Sequence, residues 1–133
     1  MARRLTLDTS FLTDFQRERR GGGDGPAHRF LAAEGRTELA LSTVALGEIA
    51  EGCQDPAHPF LQMLRSALTI LPVDEEVAMH YGAVTGRLRA QGALPGTNDL
   101  WIAAVALRHQ LPLVTADTGH FERITGLALI RYR

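Results

Sequence analysis

The stretch Arg3 to Leu12, RRLTLDTSFL, runs from two arginines through the alternating residues Leu5, Thr6 and Leu7 to a carboxylate, Asp8, and then to a second apolar pair. It reads as a short strand that ends in Asp8 and feeds a helix from about Ser10 to Arg20. The helix turns polar at QRERR and stops at GGGDG (21–25), a flexible loop that could move over a site.

Working outward, the same strand-then-helix grammar repeats. Pro26 opens a short helix to about Ala33, and LALS (39–42) is a second buried strand. Ser42 or Thr43 can cap the helix TVALGEIAEG, which Gly52 should end. His58 to Ala67 is helical, LTILPV (68–73) is a third strand, and Asp74 caps a long helix with Val77, Tyr81, Val84 and Leu88 on one face. Gln91 and Gly92 stop it. NDLWIAAVALRHQ (98–110) is apolar nearly all round, so a buried helix is expected, and Leu111–Pro112 forces its end. PLVTAD (112–117) is a fourth strand and LALIRYR (127–133) a terminal one. Strands alternating with helices over residues 1–133 predict one α/β domain. Its expected form is a three-layer α/β/α fold around a mainly parallel sheet of about five strands.

In such a sheet ligands bind beyond the carboxyl ends of the strands. Asp8 and Asp117 each directly follow a buried-strand pattern, so both should emerge at that edge. At about 100° per residue, Asp99 shares a helix face with Ile102, Ala103 and Ala106. Glu48 falls by the same arithmetic on the inward flank of its helix, beside Val44, Ala45 and Ile49. Glu51 borders that face and is a reserve ligand. Each acid has a plainer reading: Asp8 as a helix cap, Asp99 as a helix-start residue, Glu48 as an arginine partner.

Bunched carboxylates repel, and burial makes their charged forms costlier, so the cluster needs protons, arginines or a cation. An all-oxygen set selects a hard ion, Mg²⁺ or Mn²⁺. Such an ion polarises a phosphate and activates water, which permits phosphodiester hydrolysis without a nucleophilic side chain. Thr9, Ser10, Asn98 and Thr115 are placed to donate hydrogen bonds behind the acids.

The 133 residues suit one core, and 45% hydrophobic with 22% charged residues makes neither disorder nor a fibrous repeat a sensible starting point. Apolar runs fall far short of the roughly 18 residues that span a bilayer, and the start lacks a signal-peptide stretch, so a cytoplasmic location without membrane attachment is expected. The lone Cys53, expected buried, excludes an intramolecular disulfide and a Cys-based zinc cluster. All 14 basic residues are arginine; taking four pocketed acids out of a net charge of −1 leaves +3, which suits a polyanion such as RNA. The five histidines show no metal-ligand spacing. His120 should border the pocket, Phe121 and Trp101 should be packing residues, and Arg17, Arg19 and Arg20 a solvated helix end.

The order of LTLDTSFL, STVALGEIAEG, TNDLWIAAVAL and LVTADTGHF resembles the PIN-domain family, and within it the bacterial toxins of the VapC type. The likeness runs from residue 5 to about 130. It implies a doubly wound fold with a Mg²⁺ or Mn²⁺ site at Asp8, Glu48, Asp99 and Asp117. It also implies endoribonuclease activity as the toxin of a type II toxin–antitoxin pair, a small antitoxin partner, homodimerisation, and DNA binding only through the antitoxin. The alternative is a non-catalytic PIN-like module that binds RNA or protein. A haloacid-dehalogenase-like phosphatase needs a second Asp two residues after the first and a lysine, and a receiver domain needs the lysine too. This chain has Ser10 at that place and no lysine.

Overall fold

The computed structural model of the chain describes residues 3–92 and 94–133. The elements follow in the order β1 (Arg4–Leu7), α1 (Thr9–Arg20), α2 (Pro26–Glu34), β2 (Glu38–Ser42), α3 (Thr43–Cys53), α4 (Pro59–Ala67), β3 (Thr69–Leu71), α5 (Glu75–Ala90), α6 (Thr97–His109), β4 (Leu113–Thr115), α7 (Thr118–Phe121) and β5 (Leu129–Arg131). The five strands form one sheet in the order β3-β2-β1-β4-β5, and every neighbouring pair is parallel. The chain winds outward from β1 through β2 to β3, then returns to add β4 on the other side of β1. The junction of β1 and β4 is therefore the topological switch point, where the crevice of an open α/β sheet lies.

Strand alternation fills both faces. Leu39 and Leu41 of β2 pack into a large core with Phe11, Leu61 and Leu64, while Ala40 between them joins Leu71, Val77 and Val105 on the other face. This is the three-layer arrangement expected. Ser42 caps α3 by accepting from the Ala45 amide, and Asp74 caps α5 by accepting from Val77. Gly52 does not end α3; the helix runs on to Cys53, and Gln54 stops it in the left-handed region at φ 65°. Cys53 is half-buried rather than buried. A four-residue helix, α7, follows the fourth strand, where the sequence pattern predicts no element, and Phe121 at its end is fully buried in the core. Trp101 is a packing residue with an aromatic neighbour that sequence order hides: Tyr81 of α5 stacks on it, ring centroids 3.7 Å apart.

The GGGDG loop lies at the wrong end of the molecule to cover the crevice. Helix α1 starts beside Asp8 and has 12 residues. At about 1.5 Å per residue the loop begins roughly 18 Å from the strand end. It is also tied down: the Glu18 carboxylate accepts from the backbone amides of Ala27 and His28 and bonds the His28 ring. Of the arginines before it, Arg17 pairs with Asp14, and Arg19 lies over the Phe60 ring, so this helix end is partly satisfied from within.

A second polar knot joins the C-terminal residues to α1. Asp14, 4% exposed, accepts from the Tyr132 hydroxyl and from Arg133 and pairs with Arg17. Although burial pushes the Asp14 carboxyl up, the Tyr132 and Arg133 hydrogen bonds and the two arginine charges outweigh it and hold its pKa below the usual 3.8. The folded protein thus binds the Asp14 proton more weakly than the unfolded chain does. Its contribution is present above the unfolded value and is lost as pH falls through the lower folded value. Asp14→Asn is expected to cost about 1–3 kcal/mol at neutral pH. In urea titrations the gap between wild type and variant should close as the pH is taken below 3.8; a gap independent of pH would count against an ionic knot.

Candidate active site at the sheet crevice

Asp8 stands where β1 ends and α1 begins. Its backbone is extended and sits at the cap position, yet its side chain makes no capping bond, which removes the plain helix-cap reading. The carboxylate is 4% exposed and its Oδ2 accepts from the Thr115 hydroxyl of β4 at 2.8 Å and the Ser10 hydroxyl at 3.0 Å. Parallel pairing of β1 with β4 makes this possible, because Leu7 faces Val114 and the Asp8 amide donates to the Val114 carbonyl. Burial raises the Asp8 pKa; hydrogen bonds from Thr115, Ser10 and the Thr9 amide oppose the rise, and the Asp117 charge adds to it.

Asp99 lies in the first turn of α6, half-buried, with no capping bond of its own. Its pKa is raised, first by burial and then by Asp8, with Glu48 and Asp117 adding smaller repulsions and His120 opposing them. That imidazole lies 3.4 Å from Asp99 Oδ2. Glu48 makes no arginine pair among the described residues; Thr9 Oγ1 donates to its Oε1 at 2.7 Å, tying α3 to the first residue of α1. Asp117 is exposed at the end of β4, with its amide bonded to Thr115 Oγ1 at 2.9 Å. Thr115 therefore links two of the acids through one hydroxyl.

All four sequence-predicted acids thus converge on one crevice, electrostatically if not in contact. Among the described residues no three carboxylate or imidazole side chains form a ready-made ligand set. Three of the four hydrogen-bonding residues are where the sequence put them: Thr9 on Glu48, Ser10 and Thr115 on Asp8. Asn98 is exposed and makes no side-chain bond to the acids among the described residues, and Glu51 is exposed and is not among the main charges acting on Asp99. The His120 contact with Asp99 was only half legible, since proximity to Asp117 in sequence placed it at the rim but not against α6.

The site has the chemistry of a candidate cation site. No arginine pairs with Asp8, Glu48 or Asp117 among the described residues, the one imidazole partner is on Asp99, and every donor is a hard oxygen. Such a set fits one or two carboxylates per ion with the remaining positions filled by water and substrate oxygens.

The family model for the PIN domain matches residues 5–127. A protein of Haemophilus influenzae called ribonuclease VapC1 is 31% identical over 94 residues, covering 67% of this chain and 70% of that one. The solved structure of VapBC-1 from nontypeable Haemophilus influenzae superposes with a TM-score of 0.78 at 26% identity, over 97% of this chain and 98% of its own. DNA-bound VapBC from Salmonella typhimurium gives a TM-score of 0.82 at 23% identity with full coverage of both chains, a likeness of fold.

Proposed function

The chain belongs to the PIN-domain family, and from that premise we propose that it is a metal-dependent endoribonuclease, the toxin of a type II toxin–antitoxin pair, cleaving RNA phosphodiesters at the crevice of Asp8, Glu48, Asp99 and Asp117. The observation that carries the reading is Asp8: a carboxylate buried at the switch point, held by hydroxyls, with no cationic partner among the described residues and with further acids facing it. A protein keeps such an arrangement against its own electrostatics when something cationic or proton-rich uses it. The name of the Haemophilus relative supports RNA as substrate.

Asp8 and Asp99 would hold Mg²⁺ or Mn²⁺, with Glu48 and Asp117 flanking; when bound, the ion supplies phosphate polarisation and a water of lowered pKa. The chain's own residues do the positioning. Thr115 and Ser10 fix the Asp8 carboxylate through one oxygen, and Thr9 fixes Glu48. Four anionic groups leave the rest of the surface with an excess of arginine charge to meet the RNA backbone. The VapBC-1 structure supports an antitoxin as partner; a homodimer, contact with DNA only through the antitoxin and action in the cytoplasm belong to the same proposal.

The deciding experiment is cleavage of total RNA by the purified, antitoxin-free protein with Mg²⁺, with Mn²⁺ and with chelator, beside Asp99→Ala. Metal-dependent fragments absent from the variant are expected. No cleavage with either metal would favour the non-catalytic binding module. Ion binding also has a readout of its own: Mn²⁺ at about a hundred times its Kd should add about 2.7 kcal/mol of stability, read as a rise of several degrees in Tm. The absence of any rise in the wild type would count against the centre.

A further inference from the structure

Next to the acidic crevice lies a cavity of about 400 Å³ between the segment leading into α6 and the end of α7. We propose that this cavity receives the base of one unpaired nucleotide, the one flanking the scissile phosphodiester; the assignment rests on the ribonuclease reading above. Its volume is within the roughly 300–1,000 Å³ of small-ligand sites. Its walls are of two kinds. Leu94, Pro95 and Ile124 line it with apolar surface against which a base can lie, and Leu94 is 46% exposed. The lining also includes Arg123 and Glu122, a cation and a carboxylate. A pure phosphate site would not carry the acid. The edge of a nucleobase, with donors and acceptors side by side, suits both.

Position puts this nucleotide next to the scissile bond. Asp99 and His120, whose side chains lie 3.4 Å apart, are among the lining residues, so the cavity adjoins the acidic crevice. A phosphodiester held over the acids would send one neighbouring base into the cavity, with the His120 ring as a lateral face. RNA recognition by single modules works in this manner, on splayed, unpaired bases rather than on duplex.

The test uses the intact protein and a short labelled single-stranded RNA made abasic at each position in turn. With chelator present, anisotropy reads binding alone. One abasic position is expected to weaken binding roughly tenfold. Leu94→Trp, which fills the cavity, should weaken the intact RNA to the same level and erase the difference between intact and abasic RNA. Arg123→Ala, also a surface change, should reproduce part of that loss. With metal supplied, the sensitive position should adjoin the cleaved bond. Equal binding of every abasic RNA, or a base dependence that survives Leu94→Trp, overturns the assignment. Base-dependent binding that Leu94→Trp abolishes, in a protein that cuts nothing, keeps the cavity and removes the nuclease reading.

Discussion

Asp8→Asn is expected to lower metal-dependent RNA cleavage by on the order of a hundred- to a thousandfold while raising the melting temperature of the metal-free protein. The two effects have one cause. Asp8 is 4% exposed, and its pKa is raised because burial disfavours the charged form more than its hydroxyl and amide donors favour it. At neutral pH the ionised group therefore costs the fold stability, and its negative field also raises the pKa of Asp99. Asparagine keeps the shape and can still accept from Thr115 and Ser10, so the β1–β4 junction should survive. What it removes is the anionic charge on which ion binding depends. Activity by titration of RNA cleavage and stability by thermal melting, each with and without Mn²⁺, check the pair. A variant that is both active and less stable would show that Asp8 serves the β1–β4 junction and not the chemistry. A variant that loses activity and stability together would point to simple unfolding.

Thr115→Val asks a narrower question about the same carboxylate. Because one hydroxyl donates to Asp8 and accepts from the Asp117 amide, its loss should free both acids at once. The expected outcome is a loss of about ten- to a hundredfold in metal affinity or activity, partly restored by Thr115→Ser. A valine variant with unchanged metal dependence would show that the hydroxyl serves packing.

The layout of this site was legible in the sequence because its determinants are local. A carboxylate directly after a buried strand must emerge at the strand's end, and a parallel sheet aligns such ends; Asp8 and Asp117 needed no more than that. Glu48 and Asp99 were fixed by helical periodicity against Ala45 and Ile49 and against Ile102 and Ala103, all of them buried. What stayed hidden depends on contacts between distant segments. Tyr81 on Trp101, Tyr132 on Asp14 and His120 on Asp99 join residues whose order along the chain says nothing of their meeting. Helix ends were misread for a related reason: Gly52 is a good terminator by propensity, but α3 goes one residue further and Gln54 takes the left-handed turn instead.

GGGDG is the clearest case of a pattern whose physical meaning differs from its composition, and it yields the last prediction. Gly25 has an extended backbone, φ 175°, that any residue adopts, so conformational freedom does not explain it. Space does. A Cβ there would overlap Glu18 Cδ and lie 2.7 Å from its Oε1. Glu18 could swing away, but only by abandoning the amides of Ala27 and His28 and the His28 ring, and with them the N-terminus of α2, whose other cap residue offers no side chain. Those bonds already hold the Glu18 pKa down despite its burial, which marks them as bonds to the ionised form. Gly25→Ala should therefore cost about 2–4 kcal/mol, close to the cost of Glu18→Ala itself. In the double variant the costs should not add, because the methyl group then meets empty space where the carboxylate was. Urea midpoints of the four proteins decide it: additive losses would mean that Gly25 matters for some reason other than Glu18.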